Sequence, residues 1–318
     1  MKKNLFIAFA IAASVFALSS CNQKAAGGHD GTAADSTATD TTMVAKFDFT
    51  PAEPVNGKKK AICEMGATGF ECYVIEMDKD KNWKMVKAMF GKSLVAEGKT
   101  DAATIKSKLE GYIKELVDSS GVKGKDIHFV ISSGAKKEDV TDVIISEIKK
   151  KGYFVNVVSP EQEAKYAYRA AMAKGYEGKA FVVDMGSNNT KVAYMKDGKM
   201  ETVETYGAKY YKKNVDDKAV YDDVKSKLSA IPAANCGTLF IIGGVPYQMA
   251  SAQKRGDERY TVLNTTISYY DDLVKKEGDK AKCGVNIYKA ILDATDASQV
   301  VFDWSAHFSV GFLLDLPY

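Results

Sequence analysis

Histidine is scarce in this chain: three among 318 residues, at positions 29, 128 and 307. Five cysteines accompany them, and no Cys/His group has the spacing of a structural zinc site. His29 lies in a polar run and reads as solvated, while His128 and His307 read as structural. Net charge is small as well. The formal value is +3, and losing Lys2 and Lys3 with a leader leaves +1 (3 − 2), which provides no field for nucleic acid. A long apolar run is missing too, since Leu5–Leu18 falls short of the roughly 20 residues that span a bilayer. With 46% hydrophobic and 27% charged residues, the composition is that of a soluble globular protein, and the length suggests about two domains.

The order at the N-terminus is that of a secretory leader: Lys2-Lys3, the apolar run, then Leu18-Ser19-Ser20-Cys21. Leu-Ser-Ser-Cys resembles a bacterial lipobox. It implies cleavage before Cys21, lipidation of that thiol, a place in the cell envelope, and membrane contact through the lipid anchor alone. Residues 1–20 are therefore read as signal peptide, and 21–57 as lipidated cysteine plus disordered tether. From Asn22 to about Val44 the chain carries almost no large apolar residue and cannot offset its ordering entropy by burial. Cys63, Cys72, Cys236 and Cys283 remain, and an envelope location permits disulfides. A first hairpin turning between Ala67 and Thr68 sets Cys63 opposite Cys72; a slip of one residue separates them, and buried free thiols are the alternative.

The stretch Ala180–Tyr194 reads as a buried strand, an acid at its end (Asp184), a polar turn over Gly186–Asn189, and a second strand. Such a turn lets backbone N–H groups approach an anion, and Asp184 beside it is suited to a metal bound to that anion. Ala61–Glu76 repeats the plan. Glu64-Met65-Gly66 and Asp184-Met185-Gly186 are offset by 120 positions (184 − 64), too long for a solenoid period, so two domains of one design are expected over 58–178 and 179–318.

In the first half, strands are expected over 61–76 and 83–90, a helix over 100–119 capped by Thr100, a strand over 127–131 leading to Ser132-Ser133-Gly134, a helix over 139–151, a strand over 153–158, and a helix over 160–174 with Pro160 in its first turn. The second half follows suit. Strands at 180–184 and 191–195 and the segment 201–211 precede a helix near 216–228. A strand at 238–242 opens into Gly243-Gly244, helices follow at 266–276 and 284–294, and a strand at 300–304 and a helix at 307–314 close the chain. Three meandering strands followed by αβαβα, twice over, describe mixed sheets flanked by helices, with ligands at strand carboxyl ends in the cleft between domains.

At this point the chain resembles the actin, hexokinase and heat-shock-chaperone ATPase superfamily, and within it the exopolyphosphatase/guanosine pentaphosphate phosphohydrolase family. Glu64-Met65-Gly66-Ala67-Thr68-Gly69 stands where the family has Asp-Ile-Gly-Ser-Asn-Ser. Ser132-Ser133-Gly134-Ala135-Lys136 is similar to Thr-Ser-Ala-x-Arg. Val158 to Ala164 is similar to Ile-Ser-Gly-x-Glu-Glu-Ala, which sets Glu163 at the family's catalytic glutamate. Asp184 to Lys191 follows Asp-Ile-Gly-Gly-Gly-Ser-Thr-Glu, and Gly207-Ala208 and Gly243-Gly244-Val245 follow Gly-Ala and Gly-Gly-Thr. The fold implied is α/β, two ribonuclease H-like (actin-like ATPase) domains with a cleft between them.

The resemblance implies an exopolyphosphatase-like phosphohydrolase acting on polyphosphate or a related phosphoanhydride with Mg²⁺. Glu163 would be the general base and Lys136 the replacement for the family's arginine. Gly66, Ala67, Thr68, Gly186, Ser187, Asn188, Asn189, Gly243 and Gly244 would form the phosphate cradle, and Asp184 and Glu64 would hold the metal. Ser187 and Asn188 stand where the family has glycines, Asn189 where it has serine, and Lys191 where it has a carboxylate. Those replacements leave a second reading open: a catalytically degenerate protein that binds phosphate, polyphosphate or another envelope component without turnover. Glu161 and Glu163 also read as acids favoured at a helix start, and Lys209, Lys212 and Lys213, interleaved with Tyr210 and Tyr211, as a solvated strand face followed by a helix start, with tracking of a polyanion the alternative.

Overall fold

The structure, a computed structural model, describes residues 46–66, 69–92, 94, 101–136, 139–254 and 256–318. The leader, Cys21, Ala67 and Thr68 lie outside the described residues. Two sheets organise the chain. The first contains β1 (Lys58–Met65), β2 (Gly69–Met77), β3 (Trp83–Lys92), β4 (Ile127–Ile131) and β5 (Val155–Val157), in the order β3-β2-β1-β4-β5. The second contains β6 (Ala180–Met185), β7 (Asn189–Lys196), β8 (Lys199–Tyr206), β9 (Thr238–Gly243), β10 (Tyr260–Val262) and β11 (Gln299–Asp303), in the order β10-β11-β9-β6-β7-β8. Without its edge strand β10, the second sheet has the plan of the first: an antiparallel meander extended by two parallel strands. This is the two-sheet, actin-like α/β fold expected from the sequence.

Side-chain alternation divides each sheet between two cores. On β1, Ala61, Cys63 and Met65 face an outer core with helices α1 (Ala102–Lys114) and α2 (Val140–Lys150), while Ile62 faces inward. On β6, Phe181, Val183 and Met185 face a second outer core with α4 (Asp217–Leu228), α5 (Gly244–Ser251) and α7 (Asp279–Thr295), while Ala180 and Val182 face inward. Strands buried on both faces must be apolar throughout, which accounts for the unbroken runs in the sequence.

The inward faces share a central core filled by α3 (Pro160–Ala171) and α8 (Phe308–Asp315), which pack on each other. A Cβ added to Gly311 would stand 1.8 Å from the Tyr166 carbonyl oxygen, so this crossing requires glycine. Helix α3 lies on the second sheet and α8 on the first, so each half contributes the helix that covers the other. Ser159 caps α3 with Gln162 in a capping box, and His307 caps α8.

Several expected boundaries change. Helix α1 is capped by Asp101, which accepts from the Thr104 N–H, and Thr100 is outside the described residues. Its last turns continue as a π-helical stretch, Glu115–Ser119. Helices α5 and α6 (Asp271–Glu277) and strand β10 complete the second half. Residues 46–57 do not extend the tether. Phe47 is buried against Tyr176, Phe240 and Tyr260, which draws this segment onto the central core. Cys63 and Cys72 are register partners in β1 and β2 and form a disulfide, while Cys236 and Cys283 are free.

Candidate functional site

The carboxyl ends of β1, β4, β6 and β9 meet the starts of α3, α5 and α8 around a cavity of about 340 Å³. Its walls include Glu64, Gly66, Glu163, Asp184, the turn Gly186–Asn189, Gly243 and Gly244, which were expected from the sequence, and Glu71, Lys191, Lys280 and His307. A larger cavity of about 700 Å³, beside Phe49, Trp83 and Arg169, contains none of these residues. Lys136 is exposed and does not line the site cavity.

The repeat is visible in the turns themselves. The Gly66 N–H donates to the Gly69 carbonyl at 2.9 Å, and the Gly186 N–H donates to the Asn189 carbonyl at 3.0 Å. The Gly186 amide is therefore used inside its own turn and is not aimed at a ligand. At the end of β9, Gly243 has φ +114°, and a Cβ there would stand 2.2 Å from the Met185 carbonyl oxygen. Only glycine lets β9 pass so close to β6 and turn into α5, whose first N–H groups face the cavity without a side-chain cap. Across the cavity, the Asn188 amide donates to the Gly134 carbonyl at 3.3 Å and the Asn189 amide to Ser133 Oγ at 3.4 Å, joining loops from the two sheets.

The centre of the second-sheet wall is an ion triad. Lys191 Nζ lies 2.7 Å from Glu163 Oε2 and 3.0 Å from Asp184 Oδ2, and the three residues are 5%, 1% and 6% exposed. The Asp184 contact is ionic rather than an aligned hydrogen bond. Glu163 also accepts from the Ser133 N–H. Burial by itself would lower the Lys191 pKa, but Asp184 and Glu163 outweigh it and raise it above the ordinary lysine value. A Mg²⁺ ion at Asp184 does not fit this arrangement, because an ammonium already stands where the cation would contact that carboxylate. The expected metal pair is also divided: Asp184 belongs to Lys191, and the Glu64 carboxylate faces Glu71 and His307 instead.

Glu64 is buried, and burial pushes its pKa well above the usual carboxylate range, reinforced by Glu71, Glu163 and Asp184 and opposed by Lys191. Lys280 and Lys209 are half-buried with no carboxylate partner among the described residues. Burial lowers the pKa of both, and Lys280 and then Lys212 lower that of Lys209 further. Lys280 Nζ would be 3.4 Å from a Cβ built on Gly244, which sets it beside the α5 N-terminus. Sequence reasoning missed Lys280, Glu71 and the position of His307. Glu71 carried a signal, since the register that pairs Cys63 with Cys72 also pairs Glu64 with Glu71. Lys280 carried none.

The fold and the cleft define an actin-like α/β protein with two pseudo-equivalent turns facing a shared cavity. Solved structures with this fold include a Ppx/GppA family member from Aquifex aeolicus, 18% identical with a TM-score of 0.64 over 81% of this chain and 97% of that one. An exopolyphosphatase from Cytophaga hutchinsonii, 12% identical, has a TM-score of 0.62 over 81% of this chain and 98% of its own. A protein described as exopolyphosphatase-like is 13% identical, with a TM-score of 0.62 over 82% of this chain and 98% of its own. No protein-family model and no curated protein sequence matches the chain.

Proposed function

We propose that the cleft binds phosphoanhydride-type anions, inorganic polyphosphate among them, and holds them without turnover. The observation that carries this reading is the Lys191 ammonium between Glu163 and Asp184. It ties the carboxylate expected as general base into an ion pair and places an internal cation at the carboxylate expected to hold a metal, so neither is prepared for metal-assisted attack by water. Anion recognition has separate support. Lys280 on the cavity wall, and Lys209 close enough to feel its charge, have no carboxylate partner among the described residues, and α5 starts at the same cavity, at Gly244, without a side-chain cap. With the leader read as that of a lipoprotein, the protein would present this cleft in the cell envelope, anchored through Cys21.

A second reading, an exopolyphosphatase-type hydrolase, draws on one feature. Glu163 is buried at the cavity wall and oriented by the Ser133 N–H, with the Lys191 charge available to oppose negative charge developing on a phosphoryl group. The purified protein separates the two. Polyphosphate should bind, affinity should fall at least about tenfold in Lys280→Ala/Lys209→Ala, and no phosphate should be released with or without Mg²⁺. Release that Glu163→Gln abolishes would establish the hydrolase and overturn the first reading. Neither binding nor release would sink both.

A further inference from the structure

The two halves treat the same pair of positions in opposite ways. In the second sheet, Asp184 on β6 is the register partner of Lys191 on β7. Their counterparts 120 positions earlier (184 − 64, 191 − 71) are Glu64 on β1 and Glu71 on β2, also register partners. An acid opposite a lysine is satisfied within the sheet, whereas two acids directly opposite each other repel. The helix starts follow the same symmetry: α3 brings Glu163 to the acid–lysine pair, and the residue that begins α8, His307, comes to the acid–acid pair.

His307 Nε2 lies 3.5 Å from Glu71 Oε2 and 4.0 Å from Glu64 Oε2, and one ligand atom from each of the three residues falls within 4.8 Å of the other two. Glu64 is 95% buried (5% exposed), lines the cavity, and accepts no hydrogen bond among the described residues. The supports around the cluster are in place. Tyr73 donates to Glu71 Oε2 and stacks on the His307 ring at 4.9 Å. In the α8 cap His307 Nδ1 accepts from the Ser309 N–H at 3.3 Å; an ion taking Nε2 would move the ring proton to Nδ1, where Ser309 Oγ, 2.8 Å away, would accept it in place of that cap bond. The Cys63–Cys72 disulfide, one register step away, prevents the slip that would part the two glutamates.

We infer that Glu64, Glu71 and His307 form a divalent-cation site on the first-sheet wall of the cleft, separate from the Asp184 position. Two carboxylates neutralise a dication, and the imidazole selects a borderline ion such as Zn²⁺ over Mg²⁺, while Mn²⁺ can occupy the same donors as a spectroscopic probe. Ligands around one ion stand no farther apart than two bond lengths, roughly 4.2 Å. Both histidine separations already satisfy that limit, and the two carboxylates offer ligand atoms within 4.8 Å of each other. Three protein ligands leave a coordination position open toward the cavity, where water or a phosphate oxygen would complete the shell. This site does not depend on the anion-binding reading.

The test is titration of the chelator-stripped full-length protein with ZnCl₂ or MnCl₂ alone, followed by calorimetry, with nitrogen coupling to bound Mn²⁺ read by electron spin-echo spectroscopy. One equivalent should bind, with an imidazole nitrogen signal. Affinity should fall at least about tenfold in Glu71→Gln and in His307→Ala, and change far less in Asp184→Asn, which removes no ligand and acts on Glu64 only through its charge. His307→Ala also removes the α8 cap, so Glu71→Gln, which keeps the shape and the cap, decides if the former fails to fold. Binding equally tight in Glu71→Gln, a signal without nitrogen coupling, loss in Asp184→Asn alone, or no stoichiometric binding would each overturn the assignment.

Discussion

Replacing Lys191 with methionine keeps most of the side chain's bulk and removes its charge. Contacts of 2.7 Å to Glu163 and 3.0 Å to Asp184 disappear together, and both carboxylates stay buried as like charges. Removing one side of a buried ion pair costs about 3–5 kcal/mol, because the surviving charge keeps its desolvation penalty without its partner. Here two carboxylates depend on one ammonium, so the upper part of that range, about 4–5 kcal/mol, is expected. At about 2–4 °C per kcal/mol for a unit of this size, Tm should fall by about 8–20 °C. The loss should depend on pH. Carboxylates deprived of their cation have folded pKa values above their unfolded ones, so the native variant binds protons more tightly and gains stability as pH falls through that window. In the wild type, burial is outweighed by Asp184 and Glu163 and the Lys191 pKa is raised. That contribution is complete below the unfolded lysine value and is lost only at higher, strongly alkaline pH. Thermal unfolding of both proteins between about pH 5 and pH 8 should therefore show a gap that narrows toward acid. Equal Tm values at the alkaline end, or a gap that widens on acidification, would refute the ion triad as described.

Reducing the Cys63–Cys72 bond, or replacing both residues with serine, removes a constraint across a sequence separation of 9 and should cost about 2.5 kcal/mol, read from urea unfolding. Phe47→Ala should cost about 3 kcal/mol and expose the segment around residues 46–52 to protease, since its ring packs among Tyr176, Phe240 and Tyr260. Gly243→Ala meets both a positive φ and the Met185 carbonyl, so a loss of about 3 kcal/mol or more and weakened polyphosphate binding are expected, measured by Tm and by titration.

The architecture was legible because local signals agreed with the global fold. Unbroken apolar strands, glycine-containing turns and amphipathic helices recur in the same order in both halves, and a sheet covered on both faces needs such strands. Glu64, Glu163 and Asp184 were legible as a group through their motifs. The missing members come from helix starts remote in sequence: His307 enters through α8 and Lys280 through α7, and no local pattern records which sheet a helix will cover. Helix α5 escaped notice because it begins with two glycines' worth of turn signal, Gly243-Gly244, and carries Pro246 in its first turn, a position where proline costs little. The tether boundary moved because two aromatics, Phe47 and Phe49, find partners that exist only in the folded protein.

Helix α8 sets the order in which this protein is completed. It begins at Phe308, 231 positions after β2 ends (308 − 77), yet it supplies the layer against which the earliest strands are buried. A chain emerging from the ribosome therefore exposes the inner faces of β1 and β2 until α8 has been delivered. Deleting α8 should leave an aggregating intermediate rather than a smaller folded domain, and a chain still lacking it is a natural client for holdase chaperones.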